Sequence, residues 1–515
     1  MERRSEKSQN GALRYHVSMG ARAMAAVAVS AMVLAACGGG GSSLSTPPAT
    51  SAPTLPPIQR ISSDGFTAPP GQHASEVEPS ALAVGNTIVA AFQVGRTIVA
   101  GATAIGFATS QDGGTTWTHG TLPGLTKATG GTLDAASDAV VAYDAAHKTW
   151  LIASLPVIGT TAPTTDPAPY VSRSPDGVSW SAPVLVASGE LAEDKEWIVC
   201  DNGAHSPYFG HCYVQWDDAS LNGLIRMSVS TDGGATWGPE TMTAGNAGGL
   251  SGQPLVQPNG TVIVPIDDFN EARVLAYVSH DGGTTWSQPV LVANIVDHFQ
   301  AGNLRSGPLV TAAADGAGTV YALWQDCRFR VGCAADDLVY SISNNGVAWS
   351  APARVPIDAA TSTTDHFIPG IAVDQTTSGA GAHIGVTYYY YTSGNCGSIC
   401  NLYAGFIGSS DGGVTWSAPV MLAGPMLTTW LPSTTEGVMV ADYVATVFVA
   451  GKPLAIFANA QTPAPMLFDE AIYASTPPTL AFTTGAGTRR RAEGEHPIPG
   501  VKSDHGPRRP LPPLF

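Results

Sequence analysis

The chain has 515 residues, of which only 12% are charged, with 58 Gly, 39 Pro and a formal net charge of −16. That charged fraction is about half the usual ~25% while apolar content is ordinary, which excludes a disordered acidic chain and a coiled coil. Abundant Gly and Pro with little Lys and Glu exclude a helical protein and predict many short strands joined by turns. The negative charge disfavours nucleic acid and anionic lipid headgroups as partners.

In chain order, residues 1–37 read as an export signal. Arg14 and Arg22 precede an apolar run over 23–36 that is too short to span a bilayer. The run ends in Leu34-Ala35-Ala36-Cys37, which resembles a bacterial lipobox. The resemblance implies cleavage before Cys37 and diacylglycerol on its thiol. The protein would then be exported and lipid-anchored at the outer surface of a bacterial membrane, touching lipid only through that anchor. Residues 38–75 open with Gly38 to Gly41 and continue rich in Ser, Thr and Pro, which predicts a flexible tether. At the other end, residues 485–515 carry Arg489-Arg490-Arg491, Arg508-Arg509 and several prolines, and read as a disordered basic tail. Residues 76–484 are the folded body.

Six cysteines of that body fall into close pairs, Cys200/Cys212, Cys327/Cys333 and Cys396/Cys400. In an exported chain such spacing predicts three short-loop disulfides. A zinc site at Cys396 and Cys400 is the alternative, but no second Cys or His pair accompanies it.

One motif returns six times through the body. Its full form is Ser110-Gln-Asp112-Gly-Gly-Thr-Thr-Trp117, and its third position is occupied in turn by Asp112, Asp176, Asp232, Asp281, Asn345 and Asp411. The intervals run from 49 to 66 residues, a period that means a propeller or a solenoid. The chemistry suits a tight hairpin: the carboxylate accepts turn amides, glycine supplies positive φ, and Trp packs.

The motif resembles the Asp box, the bacterial neuraminidase repeat of the sialidase superfamily. The resemblance implies an all-β propeller of four-stranded blades, with each box on the turn between the third and fourth strands and structural in role. Six boxes plus a degraded unit around Glu470 to Ser475 predict seven blades; six, the sialidase number, is the alternative.

Strand alternation then places the starts of first strands and the ends of second strands on the face opposite the boxes. That face should carry the site. Arg305 and Arg328 are two of only nine arginines in residues 38–487 and suit a carboxylate clamp. Asp326 and Trp324 stand beside Arg328 on a loop that the 327–333 disulfide would pin. Trp216, Asp217, Asp138 and His366 fall on the same face, where indoles and carboxylates suit sugar hydroxyls. Sialidases hold the substrate carboxylate with three arginines and use a Tyr nucleophile activated by Glu, with an Asp acid/base. The resemblance offers Tyr443 and Glu196 for the first two roles, beside Asp326, Arg328 and Arg305. The Phe/Tyr-Arg-Ile-Pro motif of the opening strand is absent, however, with Glu76-Val-Glu78-Pro79 in its place.

The expected function is therefore sialidase-like exo-glycosidase action on a glycan, with a non-catalytic glycan- or protein-binding propeller as the alternative. A monomer is expected, and no cofactor is required. Calcium is the cation that Asp217-Asp218, Asp267-Asp268 and Asp336-Asp337 are suited to hold, and the metal content is otherwise unknown.

Overall fold

The computed structural model describes residues 55–482 except 160, 162–166, 188–192, 466, 477–479 and 481. Cys37, the first part of the expected tether and the basic tail lie outside the described residues. Among the described residues the chain is all-β, with single 3-10 turns as its helical segments. None of its helices is long and apolar enough to cross a membrane.

The strands group into repeated four-stranded antiparallel units, consistent with a sialidase-like propeller. The first unit comprises Glu76–Val84, Thr87–Arg96, Ala102–Ser110 and Thr118–Thr121. Further units open with Ala135–Asp144, Glu193–Cys200, Leu255–Val256, Thr311–Ala314 and Asp365–Val373. Second strands such as Thr87–Arg96 and Cys212–Asp218 are buried almost residue for residue, because neighbouring sheets cover both of their faces.

The final unit corrects the expected boundary at residue 76. Its strands Ala445–Val449, Lys452–Ala460 and Glu470–Ser475 are completed by Ile58–Arg60, which pairs Ile58 with Ser475 and Arg60 with Tyr473. Ile61 follows, buried, with its N–H on Ile472 O at 2.9 Å. Residues 58–75 are thus part of the folded body rather than tether. The physical reason is the bare edge of Glu470–Ser475: without a following box and fourth strand it needs covering, and the N-terminal segment supplies the cover.

The six boxes lie between third and fourth strands. Asp112 Oδ1 accepts the amides of Thr115 and Thr116 at 3.0 and 2.8 Å, and its Oδ2 accepts the Thr116 hydroxyl at 2.6 Å. Asp232, Asp281 and Asp411 repeat the hydroxyl contact at 2.6 Å with Thr236, Thr285 and Thr415. Asp176 takes it from Ser179 at 3.0 Å, while Asn345 accepts the amides of Val347 and Ala348 and the Ser343 hydroxyl but no hydroxyl from the far side of the turn. Disulfides join Cys200 to Cys212, Cys327 to Cys333 and Cys396 to Cys400, each within one unit, as the spacing predicts.

Candidate functional site

The site grows from a recurring irregularity of the innermost strands. In four of them the pairing register slips by one residue, at Val77/Ser80, Ser137/Val140, Asp194/Trp197 and Phe367/Gly370. The first extra residue is left-handed each time: Glu78 (φ 56°), Asp138 (φ 48°), Lys195 (φ 43°) and Ile368 (φ 47°). Ser251 (φ 60°) repeats the device between Leu250, bridged to Asp267, and Gln253, bonded to Pro265. A bulge re-aims a side chain, and left-handed non-glycine residues are strained enough that they persist only where packing imposes them. All five lie near the start of the first strand, the end opposite the Asp-box turns.

Three of these residues, Asp138, Lys195 and Ser251, line a narrow recess with a cavity volume of about 10 Å³, bounded also by Glu196, Trp197, Asp442 and Tyr443. An ion-pair network runs along it. Lys195 Nζ lies 3.1 Å from Asp138 Oδ1 and 2.6 Å from Asp442 Oδ2. Arg305 grips the same Asp442 with two nitrogens, Nε on Oδ1 at 2.9 Å and a terminal nitrogen on Oδ2, while its other terminal nitrogen is 3.3 Å from Glu436. Arg96 lies buried nearby, its guanidinium donating to the Thr97 and Gly101 carbonyls.

The charges sort themselves accordingly. Burial opposes ionisation of Asp442, but Arg305 and Lys195 outweigh it and hold the carboxyl below the usual range. Glu196 is the reverse case: burial and then the Asp138 charge push it well above the ordinary carboxyl range. Both of its oxygens and the Tyr443 hydroxyl are buried with no hydrogen-bond partner. Burial, then the charges of Glu78, Asp138, Glu196 and Asp442, also drive the Tyr443 phenol well above its ordinary value. Glu78 is raised by burial, and then by Asp442, to about 8. The Trp197 and Tyr443 rings meet edge to face with centroids 5.6 Å apart. The recess therefore presents cations already neutralised, the buried oxygens of Glu196 and Tyr443 without protein partners, and an aromatic wall.

Of the residues expected from sequence, Glu196, Tyr443 and Asp138 converge here, and Arg305 reaches the recess through Asp442. The expected centre at Asp326, Arg328 and Trp324 is a different, closed structure. Trp324 is fully buried and donates its indole N–H to Asp326 Oδ2 at 3.1 Å. Asp326 also accepts Val296 N at 3.2 Å, Arg328 N and Nε at 2.9 Å each, and a terminal Arg328 nitrogen at 2.6 Å. Two residues of separation let the arginine fold back onto the aspartate, which takes up Asp326 and the Nε and one terminal nitrogen of Arg328.

The remaining expected ligand residues are also interior. Trp216 is fully buried in the core with Val140 and Ile198, and Asp217 is buried opposite Asp194 in the ladder. His366 packs between Tyr388 and Tyr390, and burial pulls it down to about 4, so it is neutral. Asp337, Asp358 and His366 bring possible metal-ligand atoms within 4.8 Å of one another. Arg330 and Arg354 already occupy both carboxylates at 2.6–2.8 Å, a cation pair that repels a metal ion. The carboxylates considered for calcium face protein donors: Asp218 meets Arg226, Asp268 meets Arg273, Asp267 accepts Val310 N and Asp336 accepts His298 N.

Sequence reasoning gave no site role to Asp442, the hub, or to Lys195. The usable signals were adjacency to Tyr443 and Glu196 and the rarity of lysine, of which the body has four.

The BNR repeat-like domain family matches residues 86–354. The chain belongs to that family. Among solved structures, this BNR chain is similar to a protein of unknown function from Dyadobacter fermentans, at 15% identity and TM-score 0.45 over 68% of this chain and 99% of that one. It is also similar to the NanB sialidase of Streptococcus pneumoniae, at 12% identity and TM-score 0.42 over 82% and 71%. A third is an α-L-arabinofuranosidase of Fusarium graminearum, at 11% identity and TM-score 0.41 over 81% and 96%. No curated protein sequence matches the chain.

Proposed function

We propose that this BNR-family chain is a glycan-binding propeller whose axial recess receives sugar hydroxyls at its mouth. The observation that carries the reading is the pairing of Glu196 and Tyr443: buried polar groups without protein partners, lining a recess beside Trp197. Unsatisfied buried groups are costly, so a site that keeps them is suited to a ligand that completes them. A phenol surrounded by carboxylates stays neutral, which speaks for a donor rather than a nucleophile. A seven-bladed closed ring fits best. Its support is the order of contact of the first strands, from Glu76–Val84 through each unit to Ala445–Val449 and back to the start. Export and a lipid anchor at Cys37 belong to the same reading, on the strength of residues 23–37; Cys37→Ser should abolish incorporation of labelled fatty acid, and equal labelling would remove the anchor.

One observation favours a second reading, exo-glycosidase action: a carboxyl whose pKa burial pushes up, as it does for Glu196, suits a general acid. A glycan array, followed by fluorogenic glycosides, separates the two. Binding should weaken about tenfold in Tyr443→Phe or Glu196→Ala, as for one lost hydrogen bond, without release of fluorophore. Release by the wild type that disappears in Glu196→Gln would establish hydrolysis instead. Absence of any glycan ligand would sink both readings.

A further inference from the structure

We infer that Asp442 fixes the ligand class of the recess: it takes an uncharged, hydroxyl-bearing sugar and rejects one carrying a carboxylate. The inference rests on the glycan-binding reading above. An arginine fork recognises a carboxylate by two parallel N–H···O contacts. In this recess that recognition is already complete, and the carboxylate belongs to the protein. Arg305 meets both oxygens of Asp442, with Nε at 2.9 Å from Oδ1, and Lys195 adds a third contact at 2.6 Å. The remaining Arg305 nitrogen faces Glu436 at 3.3 Å, and Lys195 also holds Asp138 at 3.1 Å. Arg96 gives one terminal nitrogen to backbone carbonyls and its Nε to Met439 Sδ.

Two consequences follow for a ligand. A sugar carboxylate would have to displace Asp442, or else stand buried beside Asp138, Asp442 and Glu436, where like charges repel. A sugar hydroxyl meets no such barrier, because it brings no charge and the buried oxygens of Glu196 and Tyr443 have no protein partner. The internal carboxylate thus works as a built-in competitor. It leaves the cations in place as scaffold while removing them from recognition. Because Arg305 and Lys195 hold Asp442 below the ordinary carboxylate range, the competitor stays ionised in mildly acidic medium as well.

Matched sugar pairs on one linker test this: galactose against galacturonic acid, and glucose against glucuronic acid, bound to the full chain at neutral pH. The wild type should prefer the uncharged member by about tenfold or more, the scale of one charge-assisted contact. In Asp442→Asn, which keeps shape and removes charge, the carboxylated member should gain about as much. If that variant does not fold, Glu436→Gln releases one Arg305 nitrogen at the rim and should give a smaller gain in the same direction. Equal or tighter wild-type binding of the carboxylated member overturns the inference while leaving the glycan-binding reading intact. A folded Asp442→Asn with no gain likewise overturns the role given to Asp442. Binding of neither member of either pair, with neutral sugars also silent across the array, overturns both.

Discussion

The Asp-box turns and the recess both use carboxylates, and they use them in opposite ways. At a box, Asp112 is satisfied within four residues by Thr115 and Thr116 and sits in solvent. In the recess, Asp442 is satisfied by Lys195 and Arg305, 247 and 137 residues away, and is buried. A local, exposed carboxylate stabilises one turn; a distant, buried one ties several units to a common centre. The two arrangements should respond differently to pH, to truncation and to ligand.

The largest expected difference is in pH dependence. Burial raises Glu76 to about 7, Glu78 to about 8, and Asp297 and Asp365 to about 6. These groups bind more protons folded than unfolded. Their contribution is therefore complete below the ordinary carboxylate pKa, ~4, and is lost as pH rises through 6 to 8. The boxes have the other sign. Hydrogen bonds from the Thr116 hydroxyl and amide lower Asp112 to about 2, and the Ser179 amide leads the same shift in Asp176. Their contribution is present above ~4 and is lost as pH falls toward 2. Urea unfolding across pH 3–9 should give greatest stability in mildly acidic medium and a steady decline toward pH 8. Each unit of titration by one buried group is worth about 1.4 kcal/mol. Glu76→Gln should flatten that decline. Stability constant or rising from pH 5 to 8 would contradict the contrast.

Removing the hub comes next. Asp442→Ala leaves Lys195 and Arg305 buried with their shared partner gone, and breaking a buried pair in this way costs about 3–5 kcal/mol. A chemical-denaturation midpoint shifted by less than a third of that range would mean that water reaches the recess freely. Deleting Arg305 as well should cost less than the sum of the two single changes, since the second removes the orphan left by the first.

How much was legible follows from the same distinction. The boxes, the disulfides and the all-β fold rest on residues close in sequence, and they could be read directly. Asp326 and Arg328 were legible too, but adjacency in sequence did not show that residues two apart on one loop bond to each other. The Asp442 hub joins residues from separate units, and no local pattern announces which inner-strand residues the bulges turn inward. Glu78, Asp138 and Lys195 share a left-handed φ that an ordinary L-residue gives no sign of in sequence. The strand Ile58–Arg60 was missed for a similar reason, because its partner lies at the far end of the chain and its own composition is that of a linker.

The smallest expected effect is at a single box, and it sharpens the contrast most. Asp411 accepts the Ser409 hydroxyl at 2.9 Å, the Thr415 amide at 2.8 Å and the Thr415 hydroxyl at 2.6 Å. Losing these in Asp411→Ala should lower stability by about 1–2 kcal/mol, the scale of a lost cap. Asn345 shows what an amide can replace: its side-chain oxygen still takes two turn amides at 2.9 Å, and Ala348 offers no hydroxyl. Asp411→Asn should accordingly cost about half as much as Asp411→Ala, the charge-assisted hydroxyl contact being the part it loses. Neither change should alter the glycan affinity of the folded fraction, because the box lies on a turn at the opposite end of the strands from the recess. Equal costs for Asn and Ala would show that the carboxylate's charge, and not its acceptor geometry, holds the turn. Weakened binding by correctly folded Asp411→Asn would show instead that the turn and the recess are one cooperative unit.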